Sequence, residues 1–182
     1  MSNTKELFDS FKTNLEAVAG ECYRATKADA SGVIAGLYKD AGITTACVYE
    51  SDLIKEIGLV DALKGAGVEV HTDHIRKHAE TDKGGISEAQ HGIAELGTLI
   101  QEQTDVDGRI VATMSEYYVG ILKESQILAT YDDAFDMLDK LDPIPNYVGF
   151  ITGPSRTADI ECVATVGVHG PLRMAAVIIE DA

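Results

Sequence analysis

Positive charge, cysteine and long apolar runs are all scarce in this sequence. Its 15 Lys and Arg against 30 Asp and Glu leave a formal net charge of -15. Such a field opposes nucleic acid and anionic membranes, which are bound through basic surfaces. No apolar run approaches the roughly 20 residues that cross a bilayer. The opening stretch, MSNTKELFDSFKTNLEAVAG, has no apolar signal-peptide core, so the cytoplasm is the expected location. The three cysteines, Cys22, Cys47 and Cys162, are far apart and form no CxxC pair. They are expected as reduced core thiols, not as ligands of an iron–sulfur cluster or a cysteine-based zinc site. GxGxxG, Walker and HExxH patterns are missing, so no nucleotide cofactor and no metalloprotease chemistry is expected. Internal repeats, low-complexity segments and convincing linkers are missing as well.

What is present suits one soluble domain: 182 residues, 45% of them hydrophobic. Leu7, Phe11, Leu15 and Val18 recur at helical spacing, and ASGVIAGLYKDAG follows as a second helix that Ser31 would cap and Gly42 would stop. Residues 1–40 are therefore expected as a helical segment packed on a core formed by 41–182. TTACVYE reads as a buried strand, SDLIKEIGLVDALKGAG as a helix and VEVHTD as a strand, a β-α-β order that favours parallel pairing. GIAELGTLIQEQ, RIVATM and YYVGILKESQILA all read as strands. YDDAFDMLDKL reads as an acidic amphipathic helix, NYVGFIT as a strand, RTADIECVATVG as a helix and RMAAVIIED as a final strand. The expected class is α/β with a largely parallel sheet. AETDKGGI, at 79–86, is the one suspected boundary.

One turn stands out. In FITGPSRTADIE a strand ends at Gly153-Pro154-Ser155-Arg156-Thr157, and a helix is expected from Ala158. Gly153 permits a tight turn, Pro154 fixes the backbone, and Ser155 or Thr157 would cap the helix. Free N–H groups of a first helical turn, together with Arg156, suit a carboxylate or phosphate. A well-made cap beside a solvated arginine is the plainer alternative.

ITGPSRTADIE followed by GVHGP, with GIAELGTLI at 92–100 and GRIV at 108–111, resembles the LUD-domain family, the lactate utilization protein C or YkgG-like proteins. The resemblance spans roughly residues 45–180. It implies a three-layer fold like that of the isomerase and CoA-transferase superfamily. It also implies a role beside cysteine-rich iron–sulfur subunits that oxidise L-lactate to pyruvate. Residues 153–159, Gly167, His169, Gly170, Pro171, Glu95, Gly97, Thr98 and Arg109 match family motifs. Leu96 stands where the family usually has Thr, and Gln90 where Asp is frequent. Ser115 to Tyr118 replaces a Pro-Pro-x-His segment, so Tyr118 supplies a hydrogen bond but no titration near neutral pH.

Two residues are catalytic candidates. Glu95, read as a strand carboxylate, is a base or nucleophile by analogy with the superfamily's CoA transferases, against the commoner role of a solvent-facing strand residue. His169 is an acid or anion donor, against a loop histidine bonded to a carbonyl. Arg109, Gly153, Ser155, Arg156, Thr157 and Gly170 are the candidate anion-binding residues, with surface ion pairs as the alternative for each arginine. Asp159 would orient Arg156, and Arg173 would be solvated. His71, His74 and His78 cluster in HTDHIRKHAE, with the last two one helical turn apart, a spacing able to chelate a transition metal. The family supplies no metal there, and neither a metal nor a cofactor is expected.

Two functions follow as expectations. One is a lactate-utilization component with a small-anion pocket and iron–sulfur partners. The other is a stand-alone isomerase, hydrolase or CoA-transferase-like enzyme acting on a small phosphorylated or carboxylated metabolite. A homo-oligomer stays open.

Overall fold

Arg173–Ile179 alternates between two apolar faces, and the fold is laid around it. Ala175, Val177 and Ile179 join one buried cluster. Met174, Ala176 and Ile178 join the other. This period of two, apolar on both sides, is what a central strand of a parallel sheet requires. The computed structural model describes residues 4–158 and 165–182.

The chain begins with α1 (Thr4–Ala17), β1 (Glu21–Ala25), α2 (Lys27–Asp40) and β2 (Thr45–Val48). Then come α3 (Asp52–Glu56), α4 (Leu59–Gly65), β3 (Glu69–His71), α5 (Ile75–His78) and β4 (Gly84–Glu88). The middle holds β5 (His91–Ile93), β6 (Thr98–Glu102), α6 (Val106–Met114), β7 (Tyr117–Lys123) and β8 (Ile127–Leu128). The chain closes with α7 (Tyr131–Leu138), β9 (Val148–Ile151), β10 (Arg156–Thr157), β11 (Thr165–Val166) and β12 (Arg173–Ile179). Six strands form one sheet in the order β1-β12-β7-β4-β2-β3, and every neighbouring pair in it is parallel. Residues from α2, α3 and α4 pack on one face, and residues from α1, α5 and α6 on the other. This is the expected three-layer α/β arrangement. A second sheet, β8-β5-β6-β9, is mixed. Its Ile93 and Ile100 pack on Ala134 of α7, while Leu99 joins the α1 side of the main core.

Four local expectations change. The first forty residues are not wholly helical: ECYRA is β1, an edge strand paired with β12. α2 is capped by Thr26, whose side chain accepts from Asp29 N–H, so Ser31 lies inside the helix. The helix expected from Ser51 to Gly65 breaks into α3 and α4 at Gly58, which has φ of +62°. RIVATM is helix, not strand: Asp105 caps α6, and Gly108, Val111 and Ala112 bury one face at helical spacing.

The suspected boundary at 79–86 runs into the centre of the main sheet. A Cβ on Gly84 would come within 2.6 Å of the Tyr38 ring, and one on Gly85 within 2.5 Å of Val111 O and 2.7 Å of Ser115 Oγ. These glycines let α2 and α6 approach β4 from opposite faces. Tyr38 Oη donates to Gly85 O at 3.0 Å, with Tyr117 O at 3.2 Å. At the β1 edge, Arg24 makes a two-point contact with the buried Glu124 carboxylate, at 3.2 and 3.0 Å.

Gly85→Ala is expected to cost at least about 1–3 kcal/mol, the range for an overpacked core. Gly32→Ala, in the exposed middle of α2 with nothing within 4 Å of the added Cβ, is expected to stabilise by about 0.5–1 kcal/mol. Urea unfolding midpoints distinguish the two. Equal effects would contradict the close approach at β4.

Candidate functional site

The two C-terminal motif blocks meet at Ser155. Its N–H donates to Pro171 O at 2.9 Å, and its carbonyl accepts Gly167 N–H at 3.0 Å. Its Oγ lies 3.4 Å from the His169 N–H that donates to it. Backbone and side chain of one residue thus tie the 153–157 turn to the 167–171 loop. Gly153 is needed for two reasons. Its φ is +71°, and a Cβ there would lie 2.8 Å from Val18 O at the end of α1.

Thr113, Met114, Gly167, Val168, His169 and Gly170 line an open groove of about 440 Å³. Its floor is the last turn of α6 and its wall is the loop entering β12. Glu116 O accepts both Leu172 N–H and Arg173 N–H, at 2.9 and 3.0 Å, which fastens that loop to the start of β7. The groove therefore sits at the N-terminal ends of β7 and β12. The usual ligand crevice of open α/β sheets lies at the opposite ends. β9, the strand before the turn, belongs to the second sheet, where it runs antiparallel to β6.

Strands stand at both described ends of the segment expected to be a helix. Arg156 and Thr157 pair antiparallel with Val166 and Thr165. The β-branched Thr157, Thr165 and Val166 favour the ladder. Residues 159–164, including Asp159 and Cys162, lie outside the described residues. Arg156 is exposed, and among the described residues its guanidinium has no partner. Thr157 is half-buried in the ladder.

Two other candidates lie elsewhere. Glu95 is not in a strand: β5 and β6 form a hairpin, and Glu95 is exposed in its Ala94–Gly97 turn, which Gly97 closes with φ of +62°. Its Oε1 accepts Tyr131 N–H at 2.7 Å, satisfying the first free amide of α7. Arg109 donates to Gln103 O at 3.0 Å and Thr104 O at 2.9 Å, and lies over the Tyr147 ring at 4.9 Å. It clamps the entry to α6, and neither it nor Glu95 lines the groove.

Tyr118 is fully buried, with its hydroxyl 2.9 Å from Ser87 Oγ. Burial pushes its pKa up to about 12. Gln101 Nε2 donates to the same Ser87 Oγ at 3.0 Å and lies 3.2 Å from Gly108 O. This polar chain joins β4, β7, β6 and α6 inside the core. Arg173 is not merely solvated: it donates to Glu21 Oε1 at 3.0 and 2.8 Å and lies over Tyr117 at 4.3 Å. Cys22 and Cys47 are free and buried. No helix among the described residues is long and apolar enough to cross a membrane.

The sequence reading missed an exposed aromatic face. Tyr131 and Phe135 of α7 pack at 4.6 Å, and Phe135 stacks with Phe150 of β9 at 6.0 Å. All three are exposed, at 44%, 47% and 40%. The signal was the aromatic pair at i and i+4 on an otherwise acidic helix.

The sequence model of the LUD domain matches residues 8–179. Lactate utilization protein C 1 of Bacillus mycoides (strain KBAB4) is 29% identical, with 97% of this chain aligned to 80% of that protein. YkgG of Escherichia coli (strain K12), an uncharacterized protein, is 29% identical over 88% of this chain and 73% of its own length. Lactate utilization protein C of Halalkalibacterium halodurans is 34% identical over 69% of this chain and 58% of its own length. In three dimensions, the crystal structure of a DUF162 family protein from Deinococcus radiodurans superimposes with a TM-score of 0.72 at 15% identity, over 98% of this chain and 99% of that one. That likeness concerns the fold, and the sequence match supplies the family: this chain belongs to the LUD domain family.

Proposed function

We propose that this protein is a component or accessory of an iron–sulfur L-lactate-oxidation system. In this reading it holds a small carboxylate or phosphate in the groove beside His169. The lactate utilization names of its relatives support the role. The observation that carries the pocket is the joining of the two motif loops through Ser155. Arg156 lies opposite Val166, next to the groove-lining Gly167, with its guanidinium unpaired among the described residues. In a molecule of net charge -15, an anion needs such a local cation and fixed amides to overcome the overall field.

Electrons are the partners' business in this reading. The exposed Tyr131, Phe135 and Phe150, ringed by Asp132, Asp133 and Asp136, form an aromatic and acidic face. That face suits an iron–sulfur subunit with a basic, apolar docking surface. Glu95, the base or nucleophile of the stand-alone enzyme reading, accepts from Tyr131 N–H and does not line the groove, so the observations favour the first reading.

A thermal-shift screen of lactate, pyruvate, sugar phosphates and CoA tests the pocket. A specific binder at 100 times its Kd adds about 2.7 kcal/mol of stability. Arg156→Ala should abolish that gain, and Glu95→Gln should keep it. Full stabilisation retained in both Arg156→Ala and His169→Ala would remove the pocket. Lactate-dependent electron transfer, reconstituted with cysteine-rich iron–sulfur subunits, tests the role. It should rise when this protein is added and fall with Phe135→Ala/Phe150→Ala. No dependence on this protein would end the proposal.

A further inference from the structure

We propose that His71, His78 and Asp82 form a binding site for one divalent transition-metal ion. One nitrogen from each histidine and one carboxylate oxygen lie within 4.8 Å of one another. The two imidazoles are stacked, with centroids 3.6 Å apart and planes 10° from parallel. His71 Nδ1 lies 2.7 Å from Asp82 Oδ2, so an ion can replace the proton these atoms share. His71 Nε2 lies 3.5 Å from Glu69 Oε1. Metal-bound imidazoles commonly direct their second nitrogen to such a carboxylate, which fixes the tautomer and the ring.

Charge balance points the same way. The Asp82 side chain is only 3% exposed. Among the described residues no Lys or Arg pairs with it; its hydrogen-bond partners are His71 and the Cys47 thiol, whose Sγ lies 3.3 Å from Oδ2. The Cys47 thiol donates to Oδ2 and positions the carboxylate. A buried carboxylate without a permanent cation is costly, and a bound ion would neutralise it. Two imidazoles and one carboxylate suit zinc, cobalt or nickel better than calcium or magnesium. Metal bonds of about 2.1 Å set ligand atoms roughly 3.4 Å apart in a tetrahedral site. His71 Nδ1 and Asp82 Oδ2 must therefore open from 2.7 Å, and the His78 ring, at the end of the short helix α5, must turn out of its stack on His71 to direct its nitrogen at the ion.

The ligand set differs from the His71, His74 and His78 trio suggested by spacing. His74 has φ of +49° and faces solvent, with Nδ1 3.2 Å from Asp73 Oδ2. Asp82 takes its place because the chain turns after α5, where Asp82 N–H donates to His78 O. An ion there would fasten the segment between β3 and β4 to the sheet. None of these residues lines the groove beside His169, so this site stands or falls apart from the anion pocket.

The test uses the full chain, stripped with chelator and titrated with Co(II) followed by absorbance and with Zn(II) by calorimetry. One equivalent should bind, and Zn(II) should raise the Tm. His71→Ala, His78→Ala and Asp82→Asn should each weaken binding by at least about tenfold, a loss that even outer-shell partners can cause. His74→Ala should stay within about twofold. If Asp82→Asn or His71→Ala does not fold, His78→Ala decides, since His78 is only half-buried. Absence of stoichiometric binding, unchanged affinity in His78→Ala, or an equal loss in His74→Ala would overturn the site.

Discussion

The close contact between Gly85 and the last turn of α6 sets the position of everything near the groove. Only a residue without a side chain lets Val111 O and Ser115 come this near to β4. Ser115 Oγ then donates to Val111 O at 3.0 Å and closes the helix. β7 starts two residues later, and Glu116 O takes the amides of Leu172 and Arg173. Thr113 and Met114 are thereby brought against the 167–170 loop. The groove depends on how a helix docks on a strand far from it in sequence.

The main sheet was legible because its strands carry a strong signal. TTACVYE and RMAAVIIED are apolar and β-branched over a strand's length, and turn residues bound them. Errors came where two periods compete. RIVATM is rich in β-branched residues, yet the Asp105 cap and the spacing of Gly108, Val111 and Ala112 make it a helix. RTADIECVATVG offered a helix period, but its ends pair across a ladder that only tertiary structure reveals. β1 was hidden between two helices because ECYRA is short and fully buries one residue on each face, Cys22 on one and Ala25 on the other.

The site was legible as motifs and not as geometry. GPSRT and GVHGP meet in space, since Ser155 bonds to both sides of the second loop. The roles given to Glu95 and Arg109 were not visible to the same reasoning. A hairpin turn closed by Gly97 moved Glu95 onto the start of α7, and two backbone carbonyls occupy Arg109. Motif membership marked residues that organise this chain as well as residues that border its groove. The acidic surface and the few arginines give the remaining contrast. Arg24 and Arg173 are held by carboxylates and Arg109 by carbonyls, while Arg156 has no guanidinium partner among the described residues.

The central claim is that the 153–157 turn and the 167–171 loop act as one anion-binding unit. Amide NMR of the whole chain, titrated with inorganic phosphate and with lactate, tests it most directly. The account predicts that Ser155, Gly167, His169 and Gly170 shift together along a single saturable curve for at least one of these anions. Shifts that fail to saturate, or that centre on residues outside both loops, would contradict it.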